Sequence, residues 1–143
     1  KVVPQNFKNF PQLSLIFNFL SEDCAFFWDN KKWIGASRKK QGYWVRTMFS
    51  IFIDDWSSAI RNLPTSYNQE IKEKVIIEHS QKSNIFGFKA LLKAKYLGAY
   101  DFKIYEAYKS DLLSHSKLPF YVLLFIAYFP RAILKLYFFI KGR

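Results

Sequence analysis

The sequence predicts a mainly α fold carrying one small β-ribbon, and three observations point to it. Apolar residues recur at three- and four-residue spacing through most of the chain. Half of the 143 residues are hydrophobic and 20% are aromatic, enough to fill one core and too many for a disordered tail. Only 5 Gly and 5 Pro interrupt the pattern, which excludes collagen-like or linker composition. The length corresponds to about one domain. Its composition changes along the chain into three stretches, residues 1–44, 45–116 and 117–143.

Residues 1–11 hold Pro4 and Pro11 and read as extended or turn geometry. Leu13, Ile16, Phe17 and Leu20 then recur at helical spacing and predict a short amphipathic helix, closed by Ser21-Glu22-Asp23. Cys24–Trp28 and Lys32–Gly35 are short apolar runs around an Asp29-Asn30 turn, and they predict the ribbon. Two strands alone are marginal, so the ribbon needs a larger sheet or packed helices. Ser37–Trp44 is a basic loop. A strong helix follows, with Val45, Met48, Phe49, Phe52, Trp56, Ile60 and Leu63 on one stripe. Arg46, Asp54, Ser57 and Arg61 fall on its other face, and Pro64 stops it. Thr65 or Ser66 is placed to cap the next helix, which presents Ile71, Val75 and Ile76 and ends near Ser83-Asn84. Two more helices span Ile85–Leu97 and Asp101–Ser114, with Gly98 between them.

Lys and Arg outnumber Asp and Glu by 22 to 11, a formal charge of +11 that favours acidic partners: phosphorylated ligands, anionic lipid or nucleic acid. The cations are spread over all the helices rather than gathered in one stripe, which ranks nucleic acid last. Cys24, the single cysteine, excludes an internal disulfide and heads an apolar strand, as a core residue would. His79 and His115 lie in separate segments, and no spacing suggests a metal site. His79 reads as a partly buried structural histidine, and His115, in a Ser-rich junction, as a solvated cap. Asp54 and Asp55 are adjacent on a helix and diverge by about 100°, so they do not readily share one ligand.

Two stretches carry functional expectations. Arg38, Lys39, Lys40, Gln41, Gly42, Tyr43 and Trp44 combine cations with a flexible glycine and two aromatics, which suits a diphosphate ligand. The plainer reading of the same residues is a solvated basic loop opening a helix. The tail runs from Leu118 to Phe129 without a charge, is interrupted by Pro130-Arg131, and continues apolar to Ile140 apart from Lys135. No acidic residue follows Asp111. A spanning helix wants ~20 uninterrupted apolar residues, and a central charge costs roughly 2.5–3.5 kcal/mol. An interfacial segment fits better, with Phe125 and Phe129 buried shallowly and Arg131 and Lys135 reaching headgroups. Burial in a core or subunit contact and true spanning are the two other readings.

The order of these elements resembles a known family. Asn9-Phe10-Pro11-Gln12-Leu13-Ser14-Leu15-Ile16 opens a helix, the ribbon follows, and then come Arg38, Gly42, Trp44 and Phe52-Ile53-Asp54-Asp55-Trp56. Together they resemble the C-terminal half of family 2 glycosyltransferases of the GT-A fold. Within that family the chain looks like the abequosyltransferase-like bacterial enzymes, which add sugars to lipid-linked polysaccharide and O-antigen precursors. The resemblance implies an α/β enzyme that uses a nucleotide-sugar donor, a polyprenyl-linked saccharide acceptor and Mg or Mn, at the cytoplasmic face of the plasma membrane. It implies that Gln12 and the segment from Arg38 through Gln41, Gly42, Tyr43 and Trp44 lie against substrate and diphosphate. Gln12 stands where that family often has an acidic base, so no catalytic residue is assigned. Tyr43 stands where the family has an arginine. The nucleotide site and Asp-x-Asp metal motif belong to the upstream half of such enzymes. With Lys1 rather than Met at its start, the chain reads as a piece, inactive alone and without a metal site of its own.

Overall fold

A computed structural model describes residues 43–141, and these are mainly helical, with no strand among them. The Leu13–Leu20 helix, the β-ribbon, Cys24 and the Arg38–Gly42 loop lie outside the described residues. The helices are α1 (Tyr43–Arg46), a π-helical segment (Ser50–Asp55), α2 (Trp56–Arg61), α3 (Gln69–Lys82), α4 (Phe88–Leu97), α5 (Phe102–Ala107), α6 (Lys109–His115), α7 (Phe120–Tyr128) and α8 (Arg131–Lys141).

The strong helix expected after Trp44 forms, but with a π-helical insertion at its centre. Val45, Met48, Phe49, Ile60 and Leu63 are buried as their spacing predicts. Ser57 is not on the polar face; it is buried, and its hydroxyl reaches the carbonyl of Phe52, five residues back, at 3.5 Å. One extra residue in a turn rotates everything downstream by about 100°, which carries Ser57 inward and Trp56 to the flank. Phe49 is the centre of the larger core. Its ring stacks on Tyr100 at 5.5 Å and Tyr108 at 5.6 Å and lies 5.7 Å from Phe86.

Helix α3 differs from expectation in both cap and face. Asn68, not Thr65 or Ser66, caps it, accepting from the Glu70 N–H at 2.7 Å. Ile76 is buried, but Ile71 and Val75 are exposed, and Lys72 and Ser80 are buried in their place. The cause is Lys72: its ammonium donates to the carbonyls of Leu63 at 2.6 Å and Arg61 at 3.2 Å. These are unpartnered acceptors where α2 ends, and a buried cation is tolerated when it satisfies such groups. A second, smaller core of Ile60, Leu63 and Ile76 forms between α2 and α3, flanked by Trp56 and Tyr67.

Helix α4 is the central element, packing against α1, α7 and α8. Gly98 ends it with φ +78°, and the N–H of Ala99 returns to the carbonyl of Ala94 at 2.8 Å, a Schellman closure. Asp101 then starts α5, accepting from the Ile104 N–H at 2.9 Å. Gly98 therefore separates two helices where the sequence placed the break.

Candidate functional site

Helices α7 and α8 are the unusual part of the surface. Pro119 precedes α7 with an extended ψ of 155°, and Pro130, which has no N–H to continue the ladder, follows it. The axes of α7 and α8 then meet at 83°. No single helix among the described residues is long and apolar enough to cross a membrane, although this bent pair has the length and composition.

Helix α7 buries Leu123, Ile126 and Ala127 and exposes Phe120, Tyr121, Phe125 and Tyr128. Its inner side is fixed by two hydrogen bonds to backbone carbonyls. The Tyr100 hydroxyl, fully buried, donates to Leu123 at 3.0 Å, and the buried Lys95 ammonium donates to Ala127. Ala127 lies in the last turn, where Pro130 leaves carbonyls without helical donors. Burial pushes the Tyr100 phenol well above the ordinary tyrosine range and lowers Lys95.

Helix α8 is apolar on its outer side. Ile133, Leu136, Tyr137 and Ile140 recur at helical spacing and are all more than half exposed, while Leu134 is buried. Phe138 sits 4.8 Å from Tyr96 of α4. The Arg131 Nε donates to the carbonyl of Tyr96 at 2.8 Å, in the last turn of α4. Its guanidinium lies so close over Gly98 that a Cβ there would come within 2.7 Å of it. Lys95 and Arg131 thus make a reciprocal clasp: α4 caps the end of α7, and the start of α8 caps the end of α4. The patch extends to α5, where Phe102 stacks on Tyr128 at 4.8 Å. Exposed Lys103, Lys117 and Lys135 lie next to it in sequence.

The expected membrane-facing residues are therefore distributed as follows. Phe125 and Lys135 are exposed, Phe129 is half-buried against Phe125 at 5.3 Å, and Arg131 is exposed but has its Nε engaged by α4. The outward residues the sequence reading did not single out are Phe120, Tyr121 and Tyr128 and the α8 stripe. In α7, apolar all round, spacing does not distinguish Phe120, Tyr121 and Tyr128; in α8 it marks the stripe but not the side the stripe faces.

Of the expected diphosphate-side residues, Gln12, Arg38, Gln41 and Gly42 lie outside the described residues, and Tyr43 opens α1. The Trp44 ring is 42% exposed and meets Phe52 edge-on at 6.2 Å. Asp54 accepts from the Tyr108 hydroxyl at 2.8 Å. Burial, with help from Asp54, pushes that phenol up to about 12. Among the described residues no group of three His, Cys, Asp or Glu side chains is arranged to hold a metal ion.

His79 is partly buried with its ring 4.7 Å from Trp56, as a structural histidine would be. His115 is not a solvated cap. It is buried at the end of α6, 6.3 Å from the Phe86 ring, with no hydrogen-bond partner at Nδ1. Each histidine thus packs against an aromatic ring, His115 buried and His79 partly so.

Searches against protein-family models, curated proteins and solved structures found no match to this chain.

Proposed function

We propose that this chain is the membrane-docking C-terminal portion of a nucleotide-sugar-dependent glycosyltransferase acting on a lipid-linked saccharide. The observation that carries the docking part is the outward aromatic and aliphatic surface of α7 and α8 in a stretch that has cations and no acid after Asp111. Burying one such side chain contributes roughly 1.5–3 kcal/mol, and each cation near an anionic leaflet adds about 1 kcal/mol. Several of each suffice for peripheral binding without a spanning helix. The transferase part rests on the resemblance, which covers most of the chain and whose motifs lie between Asn9 and Trp56. In that reading Trp44, at the start of the described residues, sits beside the diphosphate loop of Arg38, Gln41, Gly42 and Tyr43. The donor site and its Mg or Mn would belong to a half not present in this chain.

A non-catalytic helical module at the membrane is the second reading. It is favoured by the use the described region makes of its polar groups: Lys72, Lys95 and Arg131 all terminate helices.

Flotation of the full chain with vesicles of anionic or zwitterionic phospholipid tests the docking part. Binding to the anionic vesicles is expected, and failure to float with either would remove it. Quenching of tryptophan fluorescence by a nucleoside diphosphate, lost in Arg38→Ala, separates the two readings. No quenching favours the module. Sugar transfer by the 143-residue chain alone would contradict the assignment of the donor site elsewhere.

A further inference from the structure

We infer that the α7–α8 pair enters one leaflet as a rigid bent elbow, with Lys95 and Arg131 as positioning residues that fix the bend. The inference rests on the membrane-docking reading and specifies how the surface meets lipid.

Both arms are tied to α4 or to the turn that follows it. On α7, the Leu123 and Ala127 carbonyls are held by Tyr100 and Lys95, and Leu123 and Ile126 are fully buried. On α8, Arg131 is held by the Tyr96 carbonyl, Leu134 is buried, and Phe138 lies on Tyr96. A straight helix over residues 120–140 would be about 31 Å long, enough to span the hydrocarbon layer. Straightening would strip α4 of its cap, pull the Ala127 carbonyl away from Lys95, and leave the Ile126 carbonyl facing Pro130, which has no N–H to donate. It would also carry Arg131 and Lys135 into the apolar interior. In the bent form none of this happens, and the apolar faces stay exposed.

The arms differ in chemistry. The outer face of α7 is aromatic, and its Tyr121 and Tyr128 suit headgroup depth, whereas α8 exposes Ile133, Leu136 and Ile140 beside Tyr137 and Phe139, a mixed face suited to the acyl boundary just below. The clasp sets their relative depth.

The test uses the full chain, synthesised in the presence of phosphatidylglycerol-containing vesicles so that insertion during synthesis is open to it. With Cys24→Ser as background, one variant carries Ser110→Cys on α6 and another Arg143→Cys at the terminus. A membrane-impermeant maleimide is then added outside. Equal labelling of the two positions in the floated fraction is expected. Labelling at 110 with protection at 143 would overturn the inference while leaving membrane binding intact. A chain that does not float removes the docking reading, and the elbow with it. Arg131→Gln and Lys135→Gln remove the same charge, so Arg131→Gln should lose several-fold more bound protein. Equal losses would overturn the positioning role of Arg131. Lys95→Met, with helicity checked by circular dichroism, should lower binding without altering a single exposed residue. Wild-type binding by the folded variant would overturn the role of Lys95.

Discussion

His115 and His79 show how burial of a polar side chain becomes a pH dependence. Burial holds both imidazoles below the ordinary histidine range. In the unfolded chain they take up protons near pH 6.5. Above that pH both states are neutral and the full stability is present. As pH falls below about 6.5, the unfolded chain binds protons that the folded chain refuses, so stability declines. Glu73 acts in a lower window. Its hydrogen bonds from Arg61, at 2.7 and 3.0 Å, depress its carboxyl, and that contribution is lost only as pH falls below the ordinary glutamate range. The urea midpoint should therefore drop between pH 7.5 and 5.5, and His115→Leu, which keeps the volume apolar against Phe86, should flatten that drop. An unchanged slope in His115→Leu would show that the buried imidazole is not its source.

Helix termini decide how the elements fit together, and Gly98 is the most constrained of them. Its φ of +78° is left-handed, and a Cβ would meet Arg131 Nη1 at 2.7 Å and Cζ at 2.9 Å. Gly98→Ala should cost roughly 1–2 kcal/mol for the left-handed backbone alone. Displacement of Arg131 from the Tyr96 carbonyl adds to this, so the loss should exceed that of an alanine at an ordinary left-handed cap. Thermal unfolding of Gly98→Ala with and without Arg131→Gln measures the coupling, and strictly additive losses would show that the two residues do not interact. Some termini were legible in the sequence, although the cap of α3 proved to be Asn68 rather than Thr65 or Ser66. Gly98, Asp101 and Pro130 mark ends by their own backbone chemistry, without reference to tertiary neighbours. Faces were harder to read. Ser57 turns inward because of a π insertion that no local residue pattern announces, and Lys72 replaces Ile71 in the core because it satisfies carbonyls on a different helix. His115 looked solvated between Ser114 and Ser116, yet it is buried where α6 packs on α3. Of the candidate site, the apolar run and its break at Pro130 were legible. The outward stripe on α8 depended on which side α4 would cover.

At the scale of the whole molecule, charge and apolar surface act over different distances, and salt separates them. The net charge of +11 draws the chain toward any polyanion. Long-range attraction of this kind is largely screened at 1 M salt, where the Debye length is about 3 Å, against about 8 Å at physiological ionic strength. In the proposed docking, burial of Phe125, Leu136 and Ile140 against lipid would not be weakened by salt, because it depends on removing apolar surface from water. Binding to anionic vesicles should therefore fall on going to 1 M salt but level off at a non-zero plateau. Replacing Phe125 and Leu136 together by serine should leave the low-salt attraction largely in place and abolish the plateau, since both side chains are exposed and their loss opens no cavity. Nucleic acid offers no acyl layer, and its affinity for the chain should fall linearly in log–log form with salt and show no plateau. If vesicle binding also vanished completely at high salt in the unmodified chain, its attraction to membranes would be electrostatic alone, and the exposed surface of α7 and α8 would need a different occupant.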